Sequence, residues 1–131
     1  MPHRFSIRVY YEDTDLAGIV YYANYLKFIE RARTEWVRSQ GIDQTALKRD
    51  EGIVFAVRRV EADYLSPAQF DDLLTVETAP IQIGGARIVL SQSVLRGALT
   101  LFQSKVTLAA LTETGKPARL SQELRGTFSS E

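Results

Sequence analysis

Between Tyr10 and Trp36 the chain reads YYEDTDLAGIVYYANYLKFIERARTEW, and three carboxylates, Glu12, Asp13 and Asp15, stand together just ahead of a helix-like run. A positioned carboxylate can act as a general base or as a nucleophile. The N-terminus of a helix presents backbone N–H groups with no intrahelical acceptor, and these attract developing negative charge. A short acidic loop that delivers a carboxylate to such a terminus is therefore suited to attack on an electrophile whose charge lands on the amides. The same residues have an ordinary structural reading. Asp13, Thr14 and Asp15 are turn and cap formers, and Asp13 in particular reads as a residue that holds the loop by hydrogen bonds to its backbone.

The remaining composition narrows the chemistry. There is no Cys among the 131 residues, which removes a thiol nucleophile, a thiolate metal site and a disulfide framework. The one His, His3, lies near a terminus expected to be mobile, so neither His catalysis nor a zinc site is expected. Lys plus Arg and Asp plus Glu are balanced at 16 each, which gives no electrostatic case for a nucleic-acid partner. Apolar residues at 45% suit a packed core, and the length suits one domain over residues 1–131. No run is long and apolar enough to span a membrane and no signal-peptide pattern opens the chain, so a cytoplasmic protein is expected.

The acidic loop must be positioned by what flanks it. Arg4 to Tyr11 alternates, with Phe5, Ile7 and Val9 on one face, and predicts a strand. After the loop, Tyr25, Phe28, Ile29, Ala32 and Trp36 fall on one helical stripe, widened by Leu26 and Val37, and predict a helix from about Ala23 to Gln40. Asn24 can cap that helix, and Gly41 can end it. A shorter helix is expected over Asp43 to Asp50, with Asp43 as its cap and Gly52 beyond its end. Ile53 to Val57 is apolar on both faces and continues into the alternating Arg58 to Tyr64, which suggests a strand under the helix and against a second subunit. Further strands are predicted over Leu73 to Ile83, where Pro80 signals an edge or bulge, and over Ala86 to Leu95 and Leu99 to Leu111. Gly84-Gly85 reads as a hairpin turn, Thr112 to Pro117 as the last turn, and Ser121 to Arg125 as one helical turn. The economical arrangement is α+β: one long helix wrapped by an antiparallel meander, with the uncovered sheet face or edge paired with a second copy.

The run DTDLAGIVYYANY followed by LKFIERARTEW resembles the signature of the hotdog-fold acyl-CoA thioesterases, within the 4-hydroxybenzoyl-CoA thioesterase family. It is most similar to the bacterial group associated with the Tol–Pal cell-envelope system. The likeness covers essentially the whole chain and includes ADYLSPAQFDD at Ala62 to Asp72 and GKPAR at Gly115 to Arg119. The resemblance implies a hotdog fold, one central helix wrapped by a curved antiparallel sheet of about five strands, and hydrolysis of an acyl-CoA to the free acid and CoA. It places the catalytic carboxylate at Asp15, as nucleophile or general base, with a backbone N–H near Tyr22 polarising the carbonyl. Gly18, Val20, Tyr22 and Tyr25 would contact the substrate, with Gly18 allowing close approach. No metal and no cofactor is implied beyond the CoA of the substrate, and the partners are further copies of the chain, as a dimer or a tetramer of dimers, with an acyl carrier protein as a further candidate. Where the Tol–Pal group often carries His, this chain has Tyr22, as the aryl-CoA branch does, so aliphatic and aromatic acyl groups both stay open. The alternative is a hotdog module that binds an acyl thioester or a cell-envelope protein without turnover. Tyr22 and Tyr25 are equally readable as packing residues, and Arg87, Lys116 and Arg119 as either CoA-phosphate contacts or solvated charges.

Overall fold

The computed structural model describes residues 1–129. In chain order the elements are β1 (His3–Arg8), a 3-10 turn (Tyr11–Asp13), α1 (Asn24–Ser39), α2 (Gln44–Glu51), β2 (Val54–Tyr64), β3 (Leu73–Ile83), β4 (Arg87–Arg96), β5 (Leu99–Leu111) and α3 (Gln122–Ser129). The strands form one antiparallel sheet in the order β1-β3-β4-β5-β2. The helix α1 packs on one face of it. Tyr25, Phe28, Ile29, Ala32, Trp36 and Val37 are buried, and they share a single core with Leu74 and Val76 of β3, Leu90 and Val94 of β4, and Phe102 and Val106 of β5. The helical stripe thus meets the inward positions of the strands, as its spacing requires. Leu26 does not widen the stripe; it is 42% exposed.

Local chemistry sets the ends of α2. The Asp43 side chain accepts from the N–H groups of Thr45 and Ala46, and Gly52 ends the helix with φ 67, a left-handed conformation that costs glycine nothing. The start of α1 differs from expectation. Ala23 occupies the N-cap position without a side-chain cap, and Asn24 turns inward to another task.

Four further expectations are corrected by the structure, and the one for Pro80 is met. The strand at 53–64 is not buried under the helix. It is an edge strand paired only with β5, and from Val57 onward its residues are exposed. The later strands are not a simple meander either: β3, β4 and β5 are consecutive neighbours, but β2 lies across β5 from them. Pro80 sits inside the sheet on β3, yet β1 stops opposite Thr78, so β3 is locally an edge at Pro80, and a bulge follows between Pro80 and Gln82. The terminal turn is a longer helix, α3, whose Phe128 is fully buried and stacks on Trp36 at 5.3 Å. His3, expected on a mobile terminus, opens β1 opposite Thr78.

Candidate active site

The acidic loop is a short hairpin held at both ends. Thr14 and Val20 form a bridge, Asp15 N–H donates to Ile19 O at 2.9 Å, and Gly18 N–H donates to Asp15 O at 3.0 Å. Gly18 has φ 80, and a three-residue hairpin loop closed by a left-handed glycine has this form. A Cβ at Gly18 would meet nothing within 4 Å, so the chain needs glycine here for its backbone angle and not for space.

The base of the hairpin is fastened by Asp13. Its carboxylate is 5% exposed and accepts from Tyr10 N–H at 2.8 Å and from Asn24 Nδ2 at 3.0 Å, while its own carbonyl accepts from Tyr21 N–H at 2.9 Å. One residue therefore joins the strand before the loop, the chain returning from it, and the first turn of α1. Asp15 stands differently. It is exposed; one carboxylate oxygen accepts from Ala17 N–H at 2.9 Å, and the other has no partner among the described residues. Glu12 is exposed on the 3-10 turn.

Where the hairpin meets α1, backbone donors are unmet. The N–H groups of Tyr22 and Ala23 have no acceptor among the described residues, as the first amides of a helix characteristically do not. Hairpin and helix also dock on one common segment. Val20 N–H donates to Ala68 O at 2.9 Å, Ile19 bridges Gln69, and Ala68 N–H donates to Tyr25 Oη at 3.1 Å.

Beside this junction lies a pocket of about 300 Å³, walled by Val20, Tyr22, Tyr25, Tyr64, Leu65 and Pro67 among others. Three tyrosines shape it. Tyr64 Oη donates to Tyr22 O at 3.0 Å, Tyr25 packs edge-on to Tyr64 at 5.5 Å, and Tyr25 stacks on Phe102 at 5.0 Å. Burial pushes the Tyr25 phenol upward, against smaller lowering effects from the Ala68 N–H and Arg96, and burial also raises Tyr64. Both phenols stay protonated near neutrality and serve as walls and hydrogen-bonding groups.

Of the residues singled out in the sequence, Val20, Tyr22 and Tyr25 line the pocket, while Asp15 and Gly18 lie on the adjoining hairpin, outside its walls. Arg87, Lys116 and Arg119 are exposed and line none of it. Tyr64 and Asn24 had gone unrecognised as site residues. Tyr64 ends a strand whose neighbours become known only once β2 pairs with β5, and the Asn24–Asp13 contact spans the whole loop. Among the described residues no cluster of His, Cys, Asp or Glu could hold a metal ion.

The thioesterase superfamily model matches residues 17–102, well over half of the chain. The chain belongs to the thioesterase superfamily. It is similar to an acyl-CoA thioesterase of Haemophilus influenzae, YbgC, with 40% identity over 95% of this chain and 92% of that one. The acyl-CoA thioester hydrolase YbgC of Escherichia coli O6:H1 is 36% identical over 95% of this chain and 94% of its own. A probable thioesterase from Bartonella henselae, of known crystal structure, superposes with a TM-score of 0.89 at 43% identity, covering 92% of this chain and all of that one. The fold is the hotdog fold, and the protein is a thioester hydrolase. No helix among the described residues is long and apolar enough to cross a membrane.

Proposed function

We propose that the protein hydrolyses acyl-CoA thioesters at the junction of the 14–20 hairpin and α1, with Asp15 as the working carboxylate and the Tyr22 N–H, joined by that of Ala23, as the oxyanion donors. One observation carries this reading. A carboxylate oxygen without a partner and two amides without an acceptor belong to two pieces of chain that dock on the same segment, beside a pocket of acyl-group size. The YbgC relatives support the acyl-CoA part of the reading by the activity they are named for.

The steps follow from the groups. As general base, Asp15 takes a proton from water as its oxygen adds to the thioester carbonyl; the carbonyl becomes an oxyanion facing the Tyr22 and Ala23 amides. Collapse expels the CoA thiolate, which recovers the proton from Asp15. As nucleophile, Asp15 instead forms a mixed anhydride, CoA leaves, and water cleaves the anhydride. Either route turns one thioester and one water into an acid and a thiol, with no cofactor beyond the CoA of the substrate. One preorganised donor at the oxyanion contributes about 3 kcal/mol to such a transition state.

A thiol-release assay over a panel of aliphatic and aromatic acyl-CoA esters, together with one acyl carrier protein ester, tests the reading. Hydrolysis is expected from the wild type and a loss of at least about 10²-fold from Asp15→Asn. Equal rates in the two proteins sink the role of Asp15. No hydrolysis of any thioester leaves a module that binds acyl thioesters or a cell-envelope partner. Single turnover in H₂¹⁸O bears on the routes: first-turnover label in the Asp15 side chain requires direct attack with water adding at the Asp15 carbonyl of the anhydride, whereas label in the product acid alone fits general-base catalysis and water addition at the acyl carbonyl of the anhydride equally.

The open edge of β2 supports a homo-oligomer. Its eleven residues pair on one side only, and Val57 and Tyr64 are 47% and 48% exposed. Such an edge is a template for a second strand, and we take the occupant to be β2 of a second copy, alone or within a tetramer of dimers. Light scattering tests this, and a monomer overturns it. The likeness to the Tol–Pal-associated group extends the proposal to a cytoplasmic enzyme working beside the cell envelope, which fractionation of the source cells checks.

A further inference from the structure

The segment that joins hairpin and helix is itself held by the Arg96–Asp72 ion pair, and that pair has no part in the chemistry proposed above. Asp72 Oδ2 accepts from Gln69 N–H at 2.8 Å and from Arg96 Nη1 at 2.8 Å, and the same Arg96 nitrogen lies 3.3 Å from Pro67 O. The guanidinium, carried at the last position of β4, thereby grips both ends of the 67–72 turn. The turn is otherwise not self-sufficient: Asp71 adopts φ 71, a left-handed conformation unfavourable for a residue with a Cβ. It persists because Asp71 N–H donates to Val9 O, Val9 N–H donates to Asp72 O, and Arg8 Nη1 donates to Asp71 O. Strain of this kind is retained where the surroundings over-determine it.

The consequences of that grip converge on the site. Ala68 O receives Val20 N–H, Gln69 bridges Ile19, and Ala68 N–H is bound by Tyr25 Oη, so both the Asp15 hairpin and the first turn of α1 take their position from residues 68 and 69. On its other flank the segment continues into Leu65, Ser66 and Pro67, which line the pocket. The pair is only partly exposed, 38% for Arg96 and 22% for Asp72, and Tyr25 senses both charges. Burial alone would raise the Asp72 carboxyl; the Gln69 N–H and Arg96 outweigh it and hold it below the usual range.

We infer that Arg96 and Asp72 are positioning residues for thioester hydrolysis, setting both the distance between the Asp15 hairpin and the Tyr22 amide and the width of the acyl pocket. This rests on the assignment of Asp15 and the pocket proposed above. Neither residue touches the reacting atoms. A loosened 66–69 segment changes the fit of the acyl group and the alignment of the two catalytic halves together. Loss of the carboxylate at Asp15 removes the chemistry for every acyl group alike.

The test uses the full chain and four acyl-CoA probes, acetyl, butanoyl, octanoyl and benzoyl, with kcat and KM measured separately for wild type, Asp15→Asn, Arg96→Ala, Arg96→Lys, Asp72→Asn and the Arg96→Ala/Asp72→Asn double variant. We expect Arg96→Ala to lose about 10-fold to 10²-fold in kcat/KM, by a factor that differs at least about threefold between probes, since a misplacement of about 1 Å can cost 10²-fold. Arg96→Lys, which keeps a cation for Asp72, should recover part of the loss and of the wild-type preference order. The double variant should fall within about threefold of the worse single, because both residues act through one contact. Should Arg96→Ala fail to fold, Asp72→Asn and Arg96→Lys decide on the same criterion of a changed preference order. Wild-type preferences retained in the folded variants overturn the inference, as do losses that are equal across probes and additive. A wild type inactive on all four probes, or an Asp15→Asn variant as active as wild type, overturns the underlying reading and so this inference with it; a failure confined to the Arg96 and Asp72 variants leaves Asp15 standing.

Discussion

Asp13 and Asp15 are two residues apart and of one type, and the structure expects opposite consequences from removing them. Asp13→Ala deletes an acceptor bound by Tyr10 N–H at 2.8 Å and Asn24 Nδ2 at 3.0 Å in a setting only 5% exposed. A hydrogen bond to a charged group contributes about 1.5–3 kcal/mol, and each donor stranded in a buried site incurs a desolvation cost. Two such bonds, not fully additive, give a loss of about 3–5 kcal/mol, a large share of the roughly 5–15 kcal/mol that holds a domain together. With a urea m-value of about 1.5–2 kcal/mol/M for this size, the midpoint should fall by about 2 M. Asp13→Asn should lose only about 1–2 kcal/mol, because Asn24 can turn its amide over and offer its oxygen to the new side-chain NH₂. Asp15→Asn should leave the midpoint within about 0.3 M, since Asp15 is exposed and asparagine keeps the bond from Ala17 N–H. The assay is urea unfolding followed by circular dichroism at one fixed protein concentration, because an oligomer's stability depends on that concentration. A midpoint for Asp13→Ala within 0.5 M of wild type, roughly 1 kcal/mol at such an m-value, would refute the assignment of Asp13 as the fastening of the loop.

Other outcomes follow from the same contacts. Phe128→Ala should cost about 3–5 kcal/mol, read as a lowered thermal midpoint, because it empties a fully buried ring site stacked on Trp36 and edge-on to Phe55; an unchanged midpoint would mean that α3 is not anchored there. The Asp72 carboxyl is held below its usual range, so its stabilising effect is complete above the unfolded-state pKa of about 3.9 and is lost as pH falls through the lower folded value. The gap in urea midpoint between wild type and Asp72→Asn should therefore be constant from pH 7 to 5 and shrink below about pH 4; a gap independent of pH down to 2.5 contradicts it. Tyr25→Phe strands the Ala68 N–H and should cost about 1–3 kcal/mol in unfolding. The same change should raise KM more than it lowers kcat, and the reverse split would move Tyr25 from the pocket wall into the chemistry.

What could be read from the sequence was what is decided within a few residues. The helical stripe through Phe28, Ala32 and Trp36, the cap at Asp43 and the left-handed Gly52 needed no knowledge of distant partners, and each is found where the pattern put it. Asp13 was recognisable as a loop-holding carboxylate because turn chemistry is local. The place of β2 was not, since apolarity on both faces at Ile53 to Val57 fits a central strand and an edge strand awaiting a partner equally well. Pro80 gave the right signal, and its explanation lay in where β1 ends, far off in the chain. The Arg96–Asp72 pair was not legible, because nothing in the residues near either announces the other.

The strand order has a consequence in time. Strand β3 pairs with β4 and β4 with β5, each with its immediate successor, but β1 must wait for β3, and Val54 of β2 must wait for Leu111 of β5. A chain emerging from the ribosome therefore carries α1, with its buried stripe of Phe28, Ile29 and Trp36, for most of its synthesis without the sheet that covers it. Distant pairing of this kind slows folding and lengthens the exposure of apolar surface. Nascent chains halted just short of β5 should be the species most dependent on chaperones, and the acidic hairpin should acquire its protection from hydrogen exchange only when the last strand closes on β2.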